Sequence, residues 1–126
     1  MSGPARTEDD WAGSFFRDAD RLELPLLMRW FGPEIDLRLA NVPPIVGREA
    51  VEATFAEFWS GVKGMRHRRE QLVTDGDSAF QGSQVTYTRL DGREVTMPVA
   101  SHLRRDAAGT LDRLWIYIDL GPLYAD

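Results

Sequence analysis

The sequence predicts an α+β domain in which helices come first and a curled antiparallel sheet follows. Three observations predict it. Apolar residues recur at helical spacing in the first third of the chain and again from Val51 to Trp59. After Gly64 the chain changes to long runs suited to strands. Turn signals divide those runs at Asp75-Gly76-Asp77, at Asp91-Gly92 and at Asp106-Ala107-Ala108-Gly109. The change of layer falls at residues 43–51, where Pro43, Pro44 and Gly47 interrupt any ladder and turn the chain into a helix.

Residues 1–6 read as a loose tail, and 7–126 as one domain. Thr7 and Asp10 suggest a capping box for a first helix, whose face carries Trp11, Phe15 and Ala19, widened by Ala12 and Phe16. Pro25 suits the first turn of a second, short helix over 25–30, which Gly32-Pro33 should stop. Ile35, Leu37 and Leu39 alternate with Asp36 and Arg38, which predicts a half-buried strand over 34–40. In the third helix Val51, Phe55, Phe58 and Trp59 form an apolar stripe, with Arg48, Glu49, Glu52 and Glu57 opposite and Gly61 at the end. Strands are expected over 64–74, 78–90, 93–105 and 111–120. Asp91-Gly92 is the strongest hairpin signal, on the expectation that both residues take positive φ. Long antiparallel strands with one apolar face must curl around something, and the three helices supply the filling.

Composition narrows the function. A chain of 126 residues can bury one core, and its net charge of −5 argues against a nucleic-acid partner. The absence of cysteine excludes disulfides, thiolate nucleophiles and cysteine zinc sites, and fits a reducing compartment. There is no apolar signal core near Met1, and the apolar run near Leu24 to Met28 is too short to span a bilayer. A cytoplasmic protein without membrane association is expected. Two isolated histidines and scattered acids show no metal-ligand spacing, and no glycine-rich phosphate loop or nucleophile elbow is present. No metal and no cofactor are expected.

The helix–helix–strand–helix–sheet order, with Gly47-Arg48-Glu49-Ala50-Val51 opening the third helix, resembles the nuclear transport factor 2-like superfamily, and within it SnoaL-like domains. The segment from Gly82 through Asp91-Gly92-Arg93, Met97-Pro98-Val99-Ala100-Ser101, and the stretch from Trp115 to Leu123 carry the likeness, which spans about residues 8–124. The resemblance implies a cone-shaped α+β barrel, its curved, mixed sheet wrapped round three helices, with an apolar pocket at the open end. Its relatives include ketosteroid isomerases, limonene epoxide hydrolases, polyketide cyclases and dehydratases, besides non-catalytic binding domains. Many pair through the outer face of the sheet, so a homodimer of that kind is expected.

Two catalytic patterns of the superfamily can be laid on the chain. Arg89 and Asp91 have the Arg-x-Asp spacing of the epoxide hydrolases, and Asn41 could match their asparagine. Ile116 stands where the second catalytic aspartate should be, and Leu39 is the nearest match to the tyrosine, so epoxide hydrolysis is not expected. Asp91 precedes Gly92 and reads better as a turn residue. The isomerase base would fall at Arg38, with Asp36 two residues away, and the oxyanion-hole acid near Ser101; that pair is absent too.

The remaining candidates are polar groups able to face a pocket. His67 lies in Arg66-His67-Arg68-Arg69 and could serve as a general base, whereas the arginines read as solvated. Tyr87 and Arg89 share one strand face. The candidate catalytic set is therefore His67, Arg89, Asp91, Asn41 and Tyr87. The hydrolase comparison turns Leu114, Ile116 and Ile118 inward and leaves Trp115, Tyr117 and Asp119 outside, the two aromatics as an interface pair. If Ser101 faces the pocket, its neighbour His102 does not. Candidate substrate-binding residues are Trp11, Phe15, Trp30, Phe55, Ser101, Ile116 and Ile118, with core packing the default for the helix aromatics. The expected ligand is a hydrophobic small molecule of polyketide or terpenoid type. Cofactor-free acid–base chemistry (cyclisation, isomerisation or dehydration) is one expectation. A non-catalytic ligand-binding or dimerisation domain is the other.

Overall fold

The computed structural model describes residues 10–126. The tail assigned to 1–6, and Thr7 of the expected capping box, lie outside the described residues. Asp10 is itself the N-cap of α1 (Trp11–Ala19), its carboxylate accepting from the Gly13 N–H at 2.9 Å. Asp10, expected within the first turn, is thus the cap itself, covering a free amide at the helix start. Ala12, Phe15, Phe16 and Ala19 are buried, so the apolar stripe faces inward as its spacing requires.

The second helix is shorter than expected and ends sooner. α2 spans Leu24–Met28, and β1 begins at Phe31 and runs to Leu39. Gly32 and Pro33 are thus strand residues, not a helix stop. They sit where the pairing register shifts between Phe31 and Asp36, an irregularity that tolerates a residue without an N–H. A Cβ at Gly32 would lie 2.5 Å from Asp106 Oδ2, so the bare backbone is what lets β1 press against the Asp106–Thr110 turn.

The segment after the two prolines forms a two-residue strand, β2 (Ile45–Val46), antiparallel to β1. Gly47 then takes φ 98° and caps α3 (Arg48–Trp59). Arg48 at the start of α3 donates to the carbonyls of Met28 and Phe31, tying the third helix to the end of the second. Val51, Phe55 and Trp59 are buried and Phe58 is half-buried, which is the stripe read from the sequence.

Strands β3 (Val62–Asp75), β4 (Ser78–Arg89), β5 (Glu94–Arg105) and β6 (Leu111–Ile118) follow as an antiparallel meander. The sheet order is β2-β1-β6-β5-β4-β3, with β1 and β6 parallel, so the six-stranded sheet is mixed, curved and unclosed. The hairpin at Asp91-Gly92 differs from expectation, since only Gly92 has positive φ, at 90°. The loop is Leu90-Asp91-Gly92, closed by the Arg89 N–H on the Arg93 carbonyl at 2.8 Å, a three-residue connection with its glycine in the left-handed position. β6 stops at Ile118, and a four-residue helix, α4 (Gly121–Tyr124), completes the chain.

The concave face of the sheet closes on the helices. Ile35 and Leu37 of β1, Leu103 of β5 and Leu114 of β6 are at most 1% exposed and pack with Phe15, Leu27, Val51 and Phe55. A second cluster joins Tyr87, Met97 and Val99 to Leu123 of α4. No described helix is long and apolar enough to cross a membrane.

Candidate active site

An apolar cavity lies between the helices and the concave face of the sheet. Phe15, Phe16 and Ala19 of α1, Leu27 of α2, and Phe55, Phe58 and Trp59 of α3 form one side. Leu39, Met65, Val99, Leu114 and Ile116 line the sheet side, with three polar residues among them: His67, Tyr87 and Ser101. The cavity encloses about 40 Å³ of free space.

Strand periodicity explains why His67 faces inward. On β3 it alternates with the exposed Arg66 and Arg68. Its ring packs on Phe16, centroid to centroid at 4.7 Å. Its Nδ1 lies 2.6 Å from Asp20 Oδ1, and its own backbone N–H donates to Asp20 Oδ2 at 2.8 Å. A carboxylate can only accept, so Nδ1 carries a proton, and the lone pair of the neutral ring is on Nε2. Asp20 is the C-cap of α1, at the negative end of the helix dipole, where a carboxylate is disfavoured. The two donors on His67 offset that cost. Two residues later Leu22 takes φ 58°, a left-handed conformation that costs a branched residue about 1 kcal/mol or more. The strained turn ends α1 with Asp20 against β3.

Tyr87 pairs with Met65 in the sheet, and Val85 with His67, so Tyr87 is the diagonal neighbour of His67 on the same face. It is 4% exposed and packs edge-on against Phe58. Burial, reinforced by the nearby Tyr124 and Asp20, pushes its phenol well above the usual range, so it remains a proton donor. Ser101 is buried on β5 in the same wall. On its other side the His67–Asp20 pair borders a polar cleft of about 200 Å³ that also takes in Asp10, Arg17, Arg69 and Gln81. Arg69 is held there, donating to both Asp10 oxygens at 2.8 and 3.0 Å and to Gln81 Oε1 at 2.7 Å. The Arg69 bond, ahead of the Gly13 amide, keeps the Asp10 carboxyl below the usual range.

Of the residues singled out from the sequence, His67, Tyr87, Phe15, Phe55, Ser101 and Ile116 come together around this cavity. The others lie elsewhere. Arg89 pairs with Asp91 at 3.2 Å and donates to the carbonyls of Leu123 and Ala125, and Asp91 accepts from the Arg93 N–H in the hairpin. Asn41 borders a surface groove with Ile118 and Asp119. The Trp30 indole donates to Asp18 at 2.9 Å behind Phe15, and Trp11 lies under the Arg105 guanidinium. Asp20 is the residue that sequence reasoning passed over. Its one signal was an acid at a helix C-terminus, where a base is normally favoured.

On the convex face Trp115 lies between Arg38 and Arg113, with guanidinium carbons 4.2 and 4.0 Å from its ring. His102 stacks on Phe80 there, turned away from the cavity as the parity with Ser101 requires.

The comparisons with known proteins agree with this architecture. The SnoaL-like domain family matches residues 13–113. A SnoaL-like protein from Shewanella putrefaciens, assigned as a polyketide cyclase, superposes with a TM-score of 0.81 at 11% identity, covering 96% of this chain and 85% of its own. A protein of nuclear transport factor 2-like fold from an Exiguobacterium species gives 0.71 at 22% identity, covering 86% and 97%. SalBIII, an epoxide hydrolase/cyclase-like enzyme of pyran ring formation in the polyether salinomycin, gives 0.75 at 13%, covering 88% and 89%. At these identities the likeness establishes the fold. No curated protein matches the sequence. With a family match over most of its length and the curved sheet and helix order of that fold, this chain belongs to the SnoaL-like domain family.

Proposed function

We propose that the protein is a cofactor-free acid–base enzyme acting on a hydrophobic small molecule, by cyclisation, isomerisation or dehydration. The observation that carries this is the His67 imidazole at the wall of an apolar cavity, its Nδ1 2.6 Å from Asp20. Asp20 fixes the tautomer and stabilises the imidazolium that forms when Nε2 takes a proton. Tyr87, kept protonated by burial, donates to the oxygen on which negative charge develops. The relatives assigned as polyketide cyclases and the pyran-forming enzyme support a substrate with carbon acids or oxygen nucleophiles near carbonyl groups.

The test is substrate-independent. In heavy water, a base of this kind removes a proton from the carbon beside the carbonyl of β-tetralone, an apolar bicyclic ketone, and returns a deuteron. Exchange above the uncatalysed rate in the natural protein, lost in His67→Ala, is expected. Equal exchange with and without the protein would remove the catalytic assignment. A second reading, a non-catalytic binding domain, draws on the small free volume of about 40 Å³. Binding of β-tetralone without exchange would favour it.

A further inference from the structure

Among the described residues, three buried side-chain donors have no hydrogen-bond partner: Arg105 Nε, Trp115 Nε1 and Trp59 Nε1. Two lie away from the cavity. Arg105 stacks over Trp11 and pairs with Asp77 at 3.0 Å, and Trp115 is layered between two guanidinium groups on the convex face. Trp59 differs, because it is 7% exposed and forms part of the cavity wall. An indole N–H buried without an acceptor has given up its hydrogen bond to water and gained none in exchange. The fold meets that need at Trp30, whose indole reaches Asp18 at 2.9 Å. At Trp59 an apolar ring would pack as well against Phe55, whose ring centroid is 5.4 Å away, without leaving a donor unpaired.

We propose that the Trp59 indole N–H is a ligand donor, binding an acceptor oxygen of the molecule that occupies the cavity. The inference rests on the cavity being the binding site, as proposed above. It adds a substrate class. Tyr87 on β4 and Trp59 on α3 offer donors from two different elements, one beside His67 and one on the helix wall. The ligand is therefore an apolar compound with at least two oxygen functions: one at the reacting centre and one held by Trp59. The remaining lining is almost wholly apolar, so a compound without the second oxygen leaves the donor buried and unpaired.

The experiment compares cyclohexanone with methylenecyclohexane, which has the same shape with CH2 in place of oxygen, on Tyr87→Phe, where the tyrosine can no longer take the single oxygen, and on the double variant Tyr87→Phe with Trp59→Phe. The quantity read is the ratio of the two affinities, so differences in the hydration of the two probes cancel between proteins. The ketone-to-hydrocarbon ratio should fall about fivefold to tenfold when Trp59→Phe is added to Tyr87→Phe, the factor corresponding to one buried hydrogen bond. In Tyr87→Phe the Trp59 indole N–H resonance should move on adding cyclohexanone and stay in place with methylenecyclohexane. That measurement decides the matter even if Trp59→Phe fails to fold. Both probes binding, with the ratio unchanged and the resonance indifferent to the ketone, overturns the donor assignment and leaves the cavity as a binding site. Neither probe binding overturns the cavity reading, and the role of Trp59 with it.

Discussion

His67 Nδ1 and Asp20 Oδ1 meet at 2.6 Å although 47 positions separate them in the chain. The same carboxylate accepts the His67 backbone N–H, so the imidazole is held at two points and its plane is fixed against Phe16. Such a pair orients a base, and it forms because the end of α1 crosses the concave face of β3.

Asp20→Asn keeps the size of the side chain but has one acceptor oxygen for the two His67 donors, so its NH2 must face either the backbone N–H or Nδ1, and no negative charge remains to stabilise the imidazolium. The tautomer is then no longer enforced. On the proposed mechanism, ketone exchange falls by about 10²- to 10⁴-fold, and His67→Ala removes what remains. Exchange rates alongside circular dichroism check this, since an inactive but folded Asp20→Asn protein is the expected result. Full activity in that variant would rule out the dyad.

Arg89 has a mechanical job in this structure. Its guanidinium reaches the Ala125 carbonyl at 2.6 Å and the Leu123 carbonyl at 3.4 Å, holding α4 over the cluster that contains Tyr87. Arg89→Ala should lower stability by about 1 kcal/mol, a charge-assisted bond discounted for partial exposure. It should also speed hydrogen exchange in residues 121–126 while the β4 and β5 amides stay protected. Unchanged exchange there would show that α4 is held by Leu123 packing alone.

For the convex face we propose pairing with a second copy of the chain. Val73, Phe80 and Tyr117 are 51, 47 and 59% exposed, next to the Trp115 stack. An apolar patch of this kind on a sheet face suits a self-complementary contact. Phe80→Glu with Tyr117→Glu should give a monomer by analytical ultracentrifugation where the natural protein sediments as a dimer. A natural protein that is monomeric at high concentration would refute the proposal.

His102 links that face to pH. Burial first, then the Arg113 and Arg104 charges, lowers its pKa from the ordinary histidine value. A folded pKa below the unfolded one means that the unfolded chain takes up the proton more readily. Stability is then present above the unfolded value of about 6.5 and is lost as pH falls through the folded one. Thermal melts from neutral to mildly acid pH should show this decline, and His102→Gln should flatten it. Carboxylates such as Asp10 and Asp106, also held low by their bonds, extend the loss at lower pH in both proteins.

Much of the fold was legible because periodicity is a local property of the chain. The stripe of Val51, Phe55 and Trp59, and the alternation of Ile35, Leu37 and Leu39, each identify the face that a single element must bury. The family comparison turned Ile116 inward and Trp115 and Tyr117 outward, and alternation set His102 on the face opposite Ser101. Punctuation was less dependable. Gly32 and Pro33 looked like a helix stop, but they lie inside β1, in the irregularity between its Phe31 and Asp36 pairs with β6, and that pairing depends on residues some eighty positions away.

The site divides in the same way. The sequence offered His67 as a candidate general base by its residue type, but the basic run around it left open which face of its strand it takes. Its partner could not be read, because Asp20 reaches His67 only through the crossing of α1 over the sheet, set by packing of Phe15, Phe16 and Leu22. The Arg89–Asp91 spacing pointed to catalysis, yet the hairpin aims that pair at the chain terminus. Sequence determined which faces are apolar, because burial acts on each element separately. Only tertiary structure decided which polar groups meet, because that depends on how the elements cross.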